Sequence, residues 1–176
     1  MKIITAYLLL ALSGLSLFSQ VTKKESLPFQ KKNSIQVEAF GHGLIYSVNY
    51  ERVVLNFPHF KTMAQIGLGY FPPKTGLIQF WVPVLFTQLF SFNQHHIELG
   101  GGHVYIDHAS PLGDNNLRTF LTGGFLTARL GYRFQKPDGR WIFRAAFTPF
   151  AEFFGSWNLS QIGIYPSGGL AVGYGF

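Results

Sequence analysis

The residues best placed for catalysis are Asp107-His108-Ala109-Ser110, which set an imidazole two positions from a hydroxyl with a carboxylate alongside. A histidine that takes a serine proton turns the hydroxyl into a nucleophile for acyl transfer, and a carboxylate can orient the imidazole. This makes His108 a candidate base and Ser110 a candidate nucleophile. Two features count against the pair. Ser110 is followed by Pro111, as in an ordinary loop, and adjacent side chains on an extended chain point apart, so Asp107 orients His108 only if the backbone bends. His42, Asp107 and Ser110 offer a weaker arrangement for acyl transfer. His95, His96 and His103 are numerous enough for a metal, but His95 and His96 point to opposite faces of a strand. His103 shares a face with only one of them, about 20 Å or more along the chain. No metal and no cofactor is expected. Gly100-Gly101-Gly102 and Gly123-Gly124 are not phosphate cradles, because no helix follows either, and they read as strand positions of close approach or bulging.

The elements that must carry these residues are strands. Beyond the N-terminus the pattern is a two-residue alternation in blocks of about ten, divided by Pro, Gly, Asn and Asp clusters. It predicts eight strands, over 33–41, 43–55, 62–71, 77–88, 95–106, 118–135, 140–153 and 162–176. Gln135-Lys136-Pro137-Asp138-Gly139 is a tight turn, while 106–117 and 154–161 are the longest connections. Leu44, Tyr46, Val48 and Tyr50 alternate with Ser47, Asn49 and Glu51. Leu126, Ala128, Leu130, Tyr132 and Phe134 alternate with Thr127, Arg129, Gly131 and Arg133, and Trp141, Phe143, Ala145 and Phe147 oppose Arg140, Arg144 and Glu152.

Composition indicates which face meets what. The chain has 176 residues, of which 12% are charged and 17% aromatic, with 19 Phe. That charge is about half the usual share for a soluble domain. Aromatics gather at strand ends, Tyr50, Tyr132, Phe134, Trp141, Tyr174 and Phe176 at one rim and Tyr46, Tyr70 and Phe153 at the other, as in membrane-interface girdles. Small residues on the last strand, Gly169, Ala171, Gly173 and Gly175, suit a crowded lumen. The expected fold is therefore all-β, an eight-stranded antiparallel up-and-down transmembrane β-barrel. A soluble lipocalin-like barrel in the periplasm is the inverted alternative, and it requires the Tyr46 and Leu130 face to point inward.

Met1 to Ser19 has one Lys, an apolar run from Ile3 to Phe18 and a small residue, the pattern of a signal peptide cleaved near Ser19. The chain divides into this signal peptide (1–19), a polar, solvated N-terminal tail (20–32) and the barrel (33–176). The formal charge of +6 does not indicate nucleic acid, since Lys23, Lys24, Lys31 and Lys32 lie in the tail and the other bases are scattered. The absence of Cys excludes disulfides and an N-terminal lipid anchor.

Charges inside so narrow a barrel must pair. Glu51, Glu98, Arg129, Arg133 and Arg144 are expected to form a lumen ion-pair network toward the periplasmic end. Glu38 and Glu152, in the outer half, have no evident Arg. A closed lumen is the first reading and a narrow porin-like path the second.

Val37-Glu38-Ala39-Phe40-Gly41-His42-Gly43-Leu44-Ile45-Tyr46-Ser47-Val48-Asn49-Tyr50-Glu51-Arg52 is a hairpin with a short glycine tip. With it the chain resembles the small outer-membrane β-barrels of Bacteroidota and, more broadly, the OmpX- and OmpA-like barrels. The resemblance implies an outer-membrane location, contact with outer-membrane lipid and lipopolysaccharide, and mostly no assigned activity. The last strand, ending at Phe176, resembles the signal read by the barrel-assembly machinery. The His108-x-Ser110 pair is similar to that of lipid A deacylases, but those place a Glu shortly after the pair, and here none occurs between Glu98 and Glu152. The expected function is a non-enzymatic structural or surface-interaction barrel, with a lipid A deacylase-like hydrolase as alternative.

Overall fold

The computed structural model describes residues 26–43, 45–70, 80–107, 124–153 and 162–176. The signal-peptide reading of 1–19 and the candidate pair His108 and Ser110 lie outside them. Ten strand segments are seen: β1 (Asn33–Phe40), β2 (Tyr46–Asn56), β3 (Phe60–Tyr70), β4 (Phe80–Phe92), β5 (His95–Asp107), β6 (Gly124–Gln135), β7 (Trp141–Phe147), β8 (Phe150–Phe153), β9 (Ile162–Tyr165) and β10 (Gly168–Gly175). Every neighbour is antiparallel, and the sheet closes on itself where β1 meets β10, Ser34 opposite Gly175 and Val37 opposite Val172.

These ten segments make eight staves. β7 and β8 form one stave interrupted at Thr148-Pro149, and β9 and β10 another interrupted at Pro166-Ser167. Proline has no amide hydrogen to donate, so each ladder breaks there. The freed groups bond nearby: the Thr148 amide donates to the Ser167 carbonyl at 2.8 Å, and the Pro149 carbonyl accepts from Ala128. The eight blocks of alternation are thus eight barrel positions, with two kinks that alternation alone does not reveal.

The two ends of the barrel differ. One end has only short connections, 57–59, 93–94 and 136–140, and holds both the start of β1 and the end of β10; we call it the turn end. The other, the loop end, carries the connections 71–79, 108–123 and 154–161, whose conformation lies outside the described residues. Its first tip is a single 3₁₀ turn, Gly41–Gly43. Phe40 and Gly41 there have φ of 60° and 59°, a left-handed pair that bends the chain back and delivers His42 into the lumen.

Polarity is inverted relative to a soluble barrel. Leu170 (66% exposed), Phe86 (62%) and Leu130 (54%) face outward, and so does Tyr46, whereas Glu51, Glu98, Arg129, Arg133 and Arg144 are each no more than 4% exposed. The lipocalin-like alternative needs the Tyr46 and Leu130 face inside, and the structure turns it outside. Arg140, grouped with Arg144 by alternation, is also exterior. It belongs to the β6–β7 turn and donates to the Tyr174 hydroxyl at 2.6 Å.

Candidate functional site

Among the described residues the lumen gathers charges of both signs, and period-2 geometry puts them there. Inward positions are even on β1 (Ser34, Gln36, Glu38) and odd on β2 (Ser47, Asn49, Glu51). They are even on β5 (His96, Glu98) and odd on β6 (Arg129, Arg133, Gln135). An eight-stranded barrel has room for side chains and little else. Glycines make some of that room: a Cβ at Gly69 would collide with the Trp81 indole, and one at Gly67 with Asn49 and Pro83.

Toward the turn end, Glu51 and Glu98 face Arg133 and Arg144. Arg133 Nη1 lies 2.6 Å from Glu51 and 3.5 Å from Glu98, while Arg144 reaches Glu51 at 2.7 Å and Glu98 at 2.9 Å. Each guanidinium is shared by two carboxylates. Glu51 also accepts from Gln36 Nε2 at 2.9 Å, and Arg133 Nε donates to Gln135 at 2.8 Å.

Arg129 was expected at this cluster, and it lies elsewhere. Its Nη2 sits 3.2 Å from Glu38 and 2.9 Å from His42 Nδ1, and its Nη1 donates to Gln65 at 2.9 Å. Glu38 therefore has an arginine partner, contrary to the expectation that the outer acids have none. Tilted staves do not map residue number simply onto depth, and a long guanidinium side chain spans the remaining difference. Nδ1 of His42 thus lies between the Arg129 guanidinium and the Glu38 carboxylate, the latter at 3.4 Å. Glu38 also accepts from the His42 amide, at 3.3 Å. Three carboxylates and three guanidiniums are thus buried together and cancel. The backbone of Glu152 pairs with Gly163 on β9, and its side chain lies outside the described residues.

Apolar layers close this charged section at both ends. Trp81, Val104, Ile106 and Phe150 pack at the loop end, with Phe125 against them. Phe29, Val53, Met63 and Leu89 pack at the turn end. Phe29 comes from the segment expected to be a solvated tail. Over its described part that segment instead crosses the mouth. Its Phe29 backbone pairs with the Asn56 amide in both directions, at 2.9 and 2.8 Å, and the Gln30 amide donates to the Pro137 carbonyl. The Lys61 ammonium lies 4.7 Å from the Phe29 ring centre and donates to Ser91 at 3.0 Å. Ser91 in turn lies 2.8 Å from His96 Nδ1, and His96 Nε2 donates to the Gln135 carbonyl. Phe29 is buried while Lys31 stays half-buried and Lys32 exposed, so the ring docks without desolvating the lysines beside it, and among those polar residues Phe29 was the signal available in the sequence.

Among the described residues no three His, Cys, Asp or Glu side chains gather for a metal. His96 is buried in the lumen while His95 is outside. Phe29, His42, Gln65 and Lys61 were not singled out from sequence for the lumen. Gln65 and Lys61 share the inward parity of Met63, so alternation contains them, whereas His42 depends on the left-handed turn.

No family model and no curated protein matches the sequence. Two solved structures are similar in shape. One is the N-terminal β-barrel domain of Pseudomonas aeruginosa OprF, with a TM-score of 0.49 and 13% identity over 84% of this chain and 100% of that one. The other is the Yersinia pestis outer membrane protein Ail in a phospholipid bilayer nanodisc, with a TM-score of 0.43 and 15% identity over 84% of this chain and 100% of that one. The residues of the lumen are therefore read from this chain alone.

Proposed function

We propose that this chain is a bacterial outer-membrane β-barrel whose lumen is sealed by buried ion pairs and apolar layers. In this reading it acts as a structural or surface-interaction protein rather than an enzyme. One observation carries the reading: the charges are inside and the large apolar side chains outside, on a sheet that closes on itself through the β1–β10 pairing. Only lipid solvates such an exterior, and a closed barrel is one of two folds that satisfy every backbone group in lipid. Short turns, with the start of β1 and the end of β10 at the same end, correspond to the periplasmic side, and the long connections to the outside. The C-terminal stave ending at Phe176 is the segment we expect the assembly machinery to engage.

Fractionation of cells and planar-bilayer recording test this. The protein should partition with outer membranes, and the refolded barrel should add no ohmic conductance. Recovery in the soluble periplasm would refute the membrane reading, and steady ion-selective current would refute the sealed lumen.

A further inference from the structure

The exterior of the turn end carries a feature that the lumen does not explain. The β6–β7 hairpin borders a groove of ≈390 Å³ between Phe134, Trp141 and Phe143, with Lys136, Gly139 and Arg140 along its edge. Its floor is almost wholly apolar, and Trp141 is 60% exposed upon it. Both cations belong to the β6–β7 turn. Arg140 is held there: its Nη1 donates to the Tyr174 hydroxyl at 2.6 Å, its guanidinium lies 5.7 Å from the Tyr174 ring centre, and Trp141 packs edge-on against the same ring at 5.7 Å. The Tyr174 bond also raises the pKa of Arg140. A guanidinium so placed keeps further N–H donors for a planar or tetrahedral oxyanion.

We infer that this groove binds an anionic phospholipid of the periplasmic leaflet, its acyl chain along Phe134, Trp141 and Phe143 and its headgroup phosphate between Lys136 and Arg140. The inference rests on the membrane reading, which sets the apolar floor at hydrocarbon depth and the turn at the interface. Charge and polarity then match one ligand from end to end. Free phosphate would leave the floor uncovered, and a neutral hydrocarbon would leave the two cations with only Asp138 of the same turn against them. Other bases ring the same mouth outside the lumen, Lys31, Lys32 and Arg52, against the single acid Asp138 among the described residues, so the surrounding field has the right sign.

Quenching of tryptophan by brominated lipid reads out the site directly. The full barrel is refolded into phosphatidylcholine vesicles containing equal fractions of either dibrominated phosphatidylglycerol or dibrominated phosphatidylcholine. Each interfacial base contributes about fivefold in affinity at low salt, so phosphatidylglycerol should be favoured by at least about fivefold. K136Q/R140Q should reduce that preference to near one without loss of folding, and W141F should remove the selective part of the quenching. Glycerophosphoglycerol, the headgroup without acyl chains, should not compete. Equal quenching by the two lipids, a preference that survives K136Q/R140Q or W141F, or competition by the soluble headgroup would each overturn the site. No quenching by either lipid would instead show that the barrel does not insert, which defeats the membrane reading itself.

Discussion

Toward the turn end two carboxylates and two guanidiniums make four contacts of 3.5 Å or less, whereas toward the loop end Arg129 meets Glu38 at 3.2 Å with His42 beside it. The difference extends to the neighbours. Arg129 Nε, His42 Nε2 and Thr148 Oγ1 are buried without a hydrogen-bond partner, as are Gln36 Oε1 and Glu98 Oε2 toward the turn end, but there Arg133 and Glu51 are met from several sides. A shared guanidinium holds its two carboxylates at fixed positions, so the turn-end cluster acts as a clamp across the barrel. A single pair with unsatisfied neighbours is a weaker constraint. Gln65 Oε1 links the halves, accepting from Arg129 at 2.9 Å and Arg144 at 3.3 Å.

The largest effect should come from breaking the clamp. Glu51→Gln leaves two guanidiniums competing for Glu98 in a sealed interior, an uncompensated buried charge that costs about 3–5 kcal/mol. Urea unfolding in detergent micelles, followed by the electrophoretic shift between folded and unfolded barrel, measures it. A loss no greater than that of the rim substitution Lys136→Ala would mean that water screens the cluster.

Phe29→Ala comes next. It removes the ring between Val53, Met63 and Leu89, and a core aromatic truncation costs about 3–5 kcal/mol. At the mouth the hole is open to solvent, so roughly 2–3 kcal/mol is expected. Urea unfolding gives this value, and rapid amide exchange at Gln30 in the variant would show that the segment has detached. Exchange as slow as in the parent would mean that the backbone bonds to Asn56 and Pro137 hold it without the ring.

Glu38→Gln should cost less than Glu51→Gln, about 1–3 kcal/mol, because Arg129 keeps Gln65 and His42 and the new amide oxygen still accepts. A double-mutant cycle of Glu38 with Arg129, compared with one of Glu51 with Arg133, ranks the halves directly. Equal coupling energies would erase the distinction between them.

How much of this was legible in the sequence depended on what each feature needs. Alternation set the parity of Glu51, Glu98, Arg133 and Arg144 on four separate staves, and a barrel leaves inward charges no neighbours but each other. Arg129 had the right parity and an unforeseen partner, because depth depends on stave tilt, which periodicity does not encode. His42 lies in a tip where two left-handed residues, one of them Phe40, override the pattern. Phe29 was hidden by the lysines around it, since a single apolar residue has no period. The Pro149 and Pro166 kinks were visible as residues, but the proline alone did not say that the stave would resume beyond it.

The smallest expected effect tests the loop-end half most sharply. Thr148 is fully buried, and its hydroxyl has no partner. Thr148→Val keeps the branched shape and the amide bond to Ser167 while removing that hydroxyl. Removing a polar group that is bonded in the folded state costs about 1–3 kcal/mol, whereas removing one that is buried and unbonded relieves its desolvation and is neutral or slightly stabilising. The unfolding midpoint of Thr148→Val should therefore stay within about 0.5 kcal/mol of the parent or move upward. Ser47→Ala is a nearby control, because the Ser47 hydroxyl accepts from Asn49 Nδ2 at 2.9 Å and its loss should cost about 1 kcal/mol. If Thr148→Val is the more damaging of the two, that hydroxyl is bonded in solution. Unsatisfied groups would then no longer separate the halves, and the contrast would reduce to the number of ion pairs.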